Sequence, residues 1–246
     1  MLNAYGDFSE YYDLLGWNVF ARNAAVRLNA FFKLRGPKPR SLLDLACGTG
    51  ELERSLRNTG IKFVGVDASP GMVKIARRKA PKSRFIVADA AGVRLHQKFD
   101  MVLLLFDSAN HMTSYSHLRR VFRNARRHLN DNGCFIFDFL TERGLEEWEQ
   151  INIRRKKDYT LFCYGHYYPE KMLADIFIEA FIRQPAPGGP HENYRRVFQK
   201  IVEKTYPLNG IVSSLAECGF AKITASPFDL DEKVAQATRL WFVCGK

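Results

Sequence analysis

From residue 41 onward the chain alternates short apolar runs with helix-patterned stretches, and that rhythm leaves few ways to fold. Residues 41–46 (SLLDLA), 62–66, 84–88 and 99–105 read as strands. Residues 49–58 read as a helix closed by Gly60, and Ser69-Pro70 supplies an N-cap and a first-turn proline for a helix reaching about residue 80. In residues 115–129, Leu118, Val121, Phe122, Ala125 and Leu129 fall on one helical face, which leaves the arginines on the other. Residues 130–133 (NDNG) read as a turn, and 134–140 (CFIFDFL) as a fifth strand. Strands joined through helices make right-handed crossovers, so these elements predict a doubly wound α/β domain with a mostly parallel sheet.

After residue 140 the period changes. Residues 160–168, 172–183 and 194–206 alternate with period two and predict antiparallel strands. In the middle one, Met172, Ala174, Ile176, Ile178, Ala180 and Ile182 share a side. Residues 185–190 (PAPGGP) read as a hairpin loop, and Tyr206-Pro207 opens a helix ending at Cys218-Gly219-Phe220. Two strands, at 221–226 and 239–244, close the chain. The predicted organisation is a core of residues 1–140 and 206–246 with an antiparallel β insertion at 141–205.

The 246 residues suit one large domain with an insertion, and 46% hydrophobic against 26% charged residues excludes a disordered chain. The longest purely apolar run, 101–106, is too short to span a bilayer, and the acidic, aromatic N-terminus does not read as a signal peptide. Five scattered cysteines without CxxC spacing point to reduced thiols in the cytoplasm and to no metal site. Net charge is +11, concentrated at Arg77, Arg78 and Lys79, at Arg119, Arg120, Arg123, Arg126 and Arg127, at 154–157, and at Arg195 and Arg196. Such clusters are either solvated faces or contacts for a phosphate-bearing partner.

Ligands of an open α/β sheet bind beyond the carboxyl ends of its strands. There, Asp44-Leu45-Ala46-Cys47-Gly48-Thr49-Gly50 forms a glycine-rich turn, in which Gly48 and Gly50 permit close backbone approach. Asp67 ends the second strand, where a carboxylate can accept ribose hydroxyls; Asp89 follows the third, placed for an adenine amino group; Asp107 ends the fourth. A dinucleotide fingerprint wants a small residue where Glu53 stands, and a phosphate-binding loop lacks its GKS or GKT, so both fit less well.

With these residues the chain resembles the class I S-adenosylmethionine-dependent methyltransferases. LLDLACGTGEL (42–52) is similar to the family's acidic, glycine-rich turn, with Ala46 at the first glycine position. VGVDASPGMV (64–73), VADA (87–90) and FDMVLLLFDSANHM (99–112) resemble its ribose, adenine and active-site segments, and NDNGCFIFDF, AECGF and RLWFVCGK its later landmarks. The resemblance implies seven strands with the last antiparallel, and S-adenosylmethionine as cofactor. It implies that Gly48 and Gly50 approach the methionine portion, supported by Asp44, and that Asp67, with Ala68 beside it, holds the ribose. Met72 would pack on adenine, Asp89 and Ala90 would read its edge, and Phe106 and Asp107 would lie near the sulfonium. The resemblance also makes residues 1–36 lid helices and the insertion at 141–205 a cap that forms the acceptor site; Tyr5, Phe8, Tyr11 and Tyr12 resemble a lid helix, with Tyr11 or Tyr12 closing over the cofactor or simply packing.

Methyl transfer needs orientation and, where the acceptor must lose a proton, a base. The candidates are His111, Asp107 and a nearby tyrosine. Phe162, Tyr164, His166 and Tyr168 share one face of a cap strand and either line an acceptor pocket or pack on the core. The cap resembles that of small-molecule N- and O-methyltransferases, including those acting on aminosugars. A glutamate, histidine, glutamine and arginine pattern of that branch is largely lost here, where FQKIVEK stands at 198–204. The fourth strand ends without the motifs of adenine N6 or cytosine C5 methylation. The leading expectation is methylation of an N or O atom of a small molecule; an RNA methyltransferase working through the basic surface, or a non-catalytic cofactor-binding protein, is the alternative. A nicotinamide dehydrogenase ranks last. Monomer and homodimer are both open.

Overall fold

The structure, a computed structural model, describes residues 7–34, 38–184, 193–229, 231 and 233–246. After a 3-10 turn at Asp7–Glu10, the chain runs through α1 (Asn18–Leu34), β1 (Ser41–Leu45), α2 (Glu51–Ser55), β2 (Lys62–Asp67), α3 (Pro70–Lys79), β3 (Arg84–Val87), β4 (Phe99–Leu104), α4 (Tyr115–Arg127) and β5 (Leu129–Leu140). A second group follows: α5 (Glu142–Glu146), β6 (Asn152–Arg155), β7 (Tyr159–Tyr168), β8 (Leu173–Gln184) and β9 (Asn193–Lys204). It returns through α6 (Leu208–Glu217), β10 (Lys222–Pro227) and β11 (Arg239–Gly245).

Seven strands form one sheet in the order β10-β11-β5-β4-β1-β2-β3, in which β11 alone runs against its neighbours. The reason for two helical layers lies in the strand phases. Leu43 and Leu45, Val102 and Leu104, and Phe135 and Phe137 point to the side covered by α4 and α6. Leu42, Met101, Leu103 and Ile136 point to the other side, covered by α1 and α2. Strands apolar in both phases are buried on both faces, as parallel strands must be. Phe137 stacks on Phe242 across the β5–β11 pair, centroids 4.5 Å apart.

β6, β7, β8 and β9 form a separate antiparallel sheet that begins where β5 ends and returns just before α6. Its inner face, with Leu161, Cys163, Ala174, Ile176, Ile178, Ala180 and Ile182, packs with Phe8 and Leu15 of the N-terminal segment.

Several boundaries differ from the sequence reading. The helix expected at 49–58 is one turn, α2, followed by a 3-10 turn at Arg57–Thr59, with Gly60 left-handed at its end. Residues 130–133 are not a separate turn: the β4–β5 ladder steps from Phe99 opposite Leu129 to Met101 opposite Cys134, so the extra residues form a bulge inside a continuous strand. Asn130 holds the bulge by donating to Asp100, whose carboxylate also accepts the Arg40 and Ser41 amides. β6 was not anticipated, because its exposed Arg154 and Arg155 mask any apolar phase. The expected loop at 185–190 and the expected role of Tyr5 lie outside the described residues.

Candidate active site

A cavity of about 690 Å³ opens between the carboxyl ends of the sheet, the β6–β9 sheet and the N-terminal segment. One end is built from short-range turns. Ala46, Gly48 and Gly50 all take positive φ, at 60°, 54° and 72°, which bends the chain sharply between β1 and α2. A Cβ on Gly48 would meet nothing within 4 Å, and the residue lines the cavity, so its missing side chain leaves a cradle. Gly50 does a different job. Its Cβ would stand 2.9 Å from that of Ala76, and it is absent from the cavity lining, so it lets the turn pack on α3.

Asp67 joins the turn to α3, accepting the Gly48 amide at 2.8 Å on one oxygen and the Ser69 amide at 2.8 Å on the other. Ser69 caps α3 by accepting from the Met72 amide. Ala68, Met72, Asp89 and Ala90 continue the lining, with Asp89 half-exposed near Arg120 at 3.9 Å. Asp44 stands behind the turn, buried and outside the lining, and so does Glu53. Burial, then the charges of Glu53 and Asp67, pushes the Asp44 carboxyl far above the usual range; burial, helped by Asp67, takes Glu53 to about 7 against its own backbone amide and Lys79. A ligand with ammonium and sulfonium charges beside a ribose fits this end: three carboxyls surround the turn, an open cradle faces the cavity, and Asp67 sits at a strand end.

The other end is assembled from distant segments. Phe106 and Asp107 both take left-handed backbone, φ 59° and 49°. Asp138, fully buried on β5, holds that strained pair by accepting the Phe106 amide at 2.5 Å and the Asp107 amide at 2.9 Å. Arg239, the first residue of β11, donates to Asp138 and lies 3.4 Å from Asp107. Burial works against the Arg239 charge, but Asp107 and Asp138 together hold it more firmly protonated than usual. Its guanidinium lies 4.7 Å from the centre of Phe20, which stacks on Phe106.

Asn110 ties this loop to the second sheet. Its side chain accepts the Leu140 amide and donates to the Leu140 and Lys204 carbonyls, while its own carbonyl accepts the Lys204 amide. That pairing brings His111 to 3.9 Å from Glu203. Burial pulls the His111 pKa down against the pull of Asp107, although 30% of its side chain remains open. Glu203 is 2% exposed, and its Oε2 has no hydrogen-bond partner among the described residues. Burial, followed by Asp107, raises its carboxyl far above the usual range. Phe8, Tyr12, Trp17, Trp148, Ile176, Ile178 and Ile201 complete the wall.

Of the residues expected from sequence, Ala46, Gly48, Asp67, Ala68, Met72, Asp89, Ala90, Phe106, Asp107 and His111 all line this cavity. Tyr11 does not: its ring lies under the Arg195 guanidinium, and Tyr12 is the lining tyrosine. Phe162, Tyr164, His166 and Tyr168 also miss it, because β7 turns Leu161, Cys163 and Tyr167 inward and those four outward. Sequence reading missed Glu203, Arg239, Asp138 and the two tryptophans. A signal existed for Glu203, an acid in the phase of β9 that Val197 and Ile201 otherwise make apolar, and for Asp138, an acid inside CFIFDFL.

Comparison with known proteins agrees with this geometry. Residues 42–133 match the family described as a methyltransferase domain. A protein of Geobacillus sp. (strain WCH70) bearing a methyltransferase name is 25% identical over 254 residues, covering 98% of this chain and 99% of the relative. The dTDP-4-amino-2,3,4,6-tetradeoxy-D-glucose N,N-dimethyltransferase of Saccharopolyspora spinosa is 35% identical over 106 residues, 43% of each chain. The crystal structure of an S-adenosylmethionine-dependent methyltransferase from Clostridium acetobutylicum shares the fold, with a TM-score of 0.83 over 98% of both chains at 21% identity. The family resemblance read from the sequence is borne out.

Proposed function

We propose that this chain, a class I S-adenosylmethionine-dependent methyltransferase, transfers its methyl group to an N or O atom of a small molecule held under the cap of residues 141–205. One observation carries the reading: a single cavity joins the glycine-rich turn to a roofed, largely apolar chamber. When bound, S-adenosylmethionine supplies an electrophilic methyl group on a sulfonium, and the protein's work is placement and proton removal.

Gly48 and Asp67 hold the cofactor's methionine and ribose portions, while Met72, Asp89 and Ala90 surround its adenine. His111, kept neutral by burial, is the group able to accept a proton from an acceptor. Asp107 faces Arg239 and acts by orienting the loop that carries His111. Phe8, Tyr12 and Trp17 cover the cavity from the N-terminal side and keep water from the reacting atoms. No helix among the described residues is long and apolar enough to cross a membrane, and the five free thiols suit the cytoplasm.

The test is thermal stabilisation by S-adenosylmethionine and S-adenosylhomocysteine against NAD and ATP, in wild type and Asp67→Ala. Both sulfur ligands raise the melting temperature of the wild type, and the rise disappears in the variant. A rise with NAD instead would overturn the assignment. Salt-sensitive RNA binding that outcompetes small acceptors would replace the small-molecule reading with the nucleic-acid one.

A further inference from the structure

We infer that the acceptor is an amine borne on an apolar, ring-containing body without phosphate groups, and that Glu203 is the residue that selects it. The inference rests on the methyltransferase reading and names the substrate class of the same cavity.

The first argument is an unmet hydrogen-bond acceptor. Glu203 and Ile201 share the inward face of β9, with Ala174 and Ile176 opposite them on β8. Glu203 lines the cavity at 2% exposure, yet its Oε2 has no hydrogen-bond partner among the described residues. A buried carboxylate oxygen is rarely left so, because the unmade bond carries a desolvation penalty. An N–H donor from a ligand supplies the partner.

The second argument is charge. Asp107, Asp138 and Glu203 place three carboxyls at this end, faced by one guanidinium, that of Arg239. Burial, followed by Asp107, raises the Glu203 carboxyl, and a ligand cation beside it offsets the excess of carboxyls over guanidinium at this end. An ammonium does so and a neutral hydroxyl does not. Tyr12, Trp17 and Trp148 line the same cavity, and aromatic rings attract cations.

The third argument concerns the rest of the ligand. Ile176, Ile178, Ile201, Phe8 and the tryptophans call for an apolar body. Among the described lining residues, Arg120 stands beside Asp89 at the adenine end and Arg239 faces two carboxylates. Neither is placed to meet a phosphate in the acceptor half. A nucleotide-linked sugar, the substrate type named for the Saccharopolyspora relative, therefore suits this chamber poorly. Once the ligand is seated, an N–H bond of the ammonium breaks, its proton passes to the neutral His111 imidazole beside Glu203 and its electron pair stays on nitrogen, which is then free to take the methyl group.

The experiment uses protein saturated with S-adenosylhomocysteine and follows intrinsic fluorescence, since Trp17 and Trp148 line the cavity. The probes are phenethylamine and tryptamine, their hydroxyl counterparts 2-phenylethanol and tryptophol, and thymidine diphosphate. The amines bind saturably and about tenfold or more tighter than the alcohols, the scale of one charge-assisted hydrogen bond. Glu203→Gln erases that preference while keeping the rise in melting temperature with S-adenosylhomocysteine. Should the variant fail to fold, the amine-to-alcohol ratio in the wild type decides alone. Equal affinities, no amine binding, or saturable binding of thymidine diphosphate would each overturn the inference. Protein that does not bind S-adenosylhomocysteine at all overturns the methyltransferase reading instead, so the two failures are distinct.

Discussion

The two ends of the cavity are built by opposite strategies. At the cofactor end, residues 46–69 do nearly everything: three positive φ angles set the turn, and one carboxylate links the Gly48 and Ser69 amides. At the acceptor end, each group comes from a different segment, with Trp17 before α1, His111 after β4, Glu203 on β9 and Arg239 on β11. Local turns fix geometry through backbone hydrogen bonds that form as soon as the strands pair. The distant groups depend on a buried ion network, which is right only when the whole fold is right. A defect in a residue that lines the first end should therefore show as lost ligand binding, and one behind that lining or in the second end's network as changed stability.

The largest expected effect tests the ion network. Asp138→Asn removes one of two carboxylates facing Arg239 and weakens the hold on Phe106 and Asp107. Breaking a buried pair typically costs about 3–5 kcal/mol, measurable by denaturant unfolding. A loss under about 1 kcal/mol would mean the network is not what organises this end.

Glu53→Gln probes the cofactor end and should stabilise the ligand-free protein. Burial raises Glu53 from 4.5 to about 7, so the folded state favours the protonated form. Its contribution is intact below pH 4.5 and is lost as pH climbs through 7. The variant should thus gain on the order of 3 kcal/mol at pH 8 and nothing at pH 4, read from melting temperatures at the two values. The groups facing it are Asp44, Asp67, Cys47 and Lys79, and only the last opposes the shift.

A glycine pair sharpens the contrast inside a single turn. Gly50→Ala drives a Cβ to 2.9 Å from Ala76 and should destabilise by about 2–3 kcal/mol. Gly48→Ala sets its Cβ where nothing lies within 4 Å, so beyond the ~1–2 kcal/mol that left-handed backbone costs an L side chain, its effect should fall on the rise in melting temperature with S-adenosylhomocysteine, which it reduces. If both variants behaved alike, the division of labour between the two glycines would fail.

The smallest effect concerns the N-terminal segment. Lys79 on α3 bonds Asp13 and Thr49, and also approaches Glu51 at 3.2 Å. Lys79→Met should cost only about 1 kcal/mol, as partly exposed pairs do. It should also make the 7–17 backbone exchange its amide hydrogens faster, visible by mass spectrometry.

What the sequence disclosed follows the same division. The strand ends at Asp67, Asp89 and Asp107, and the turn after Asp44, are local patterns, so most residues lining this end of the cavity could be named from sequence. Gly50 was misread because a glycine that admits a ligand and one that admits a helix look alike until Ala76 is placed. On β7 the two phases, Leu161-Cys163-Gly165-Tyr167 and Phe162-Tyr164-His166-Tyr168, are both apolar or aromatic. A period of two then gives two faces without saying which is inward, and the structure turns Phe162, Tyr164, His166 and Tyr168 outward. Outward, Tyr164, Phe177 and Phe198 stack across three strands, which explains an aromatic face without any ligand. Glu203 and Arg239 gained meaning only when β9 and β11 were brought beside the loop after β4.

Asn110 carries one more consequence. The β6–β9 sheet leaves the core at Leu140 and rejoins it at Lys204 and Thr205, and Asn110 bonds both stems while the Thr205 hydroxyl bonds Leu140 again. The two ends of a long excursion are thus stapled at one point, and closing a loop there depends only weakly on how much chain lies between. The roof is therefore an exchangeable part: it can lengthen, shorten or be replaced while the seven-stranded floor keeps its fold, and the cavity between them can be reshaped by grafting rather than by rebuilding.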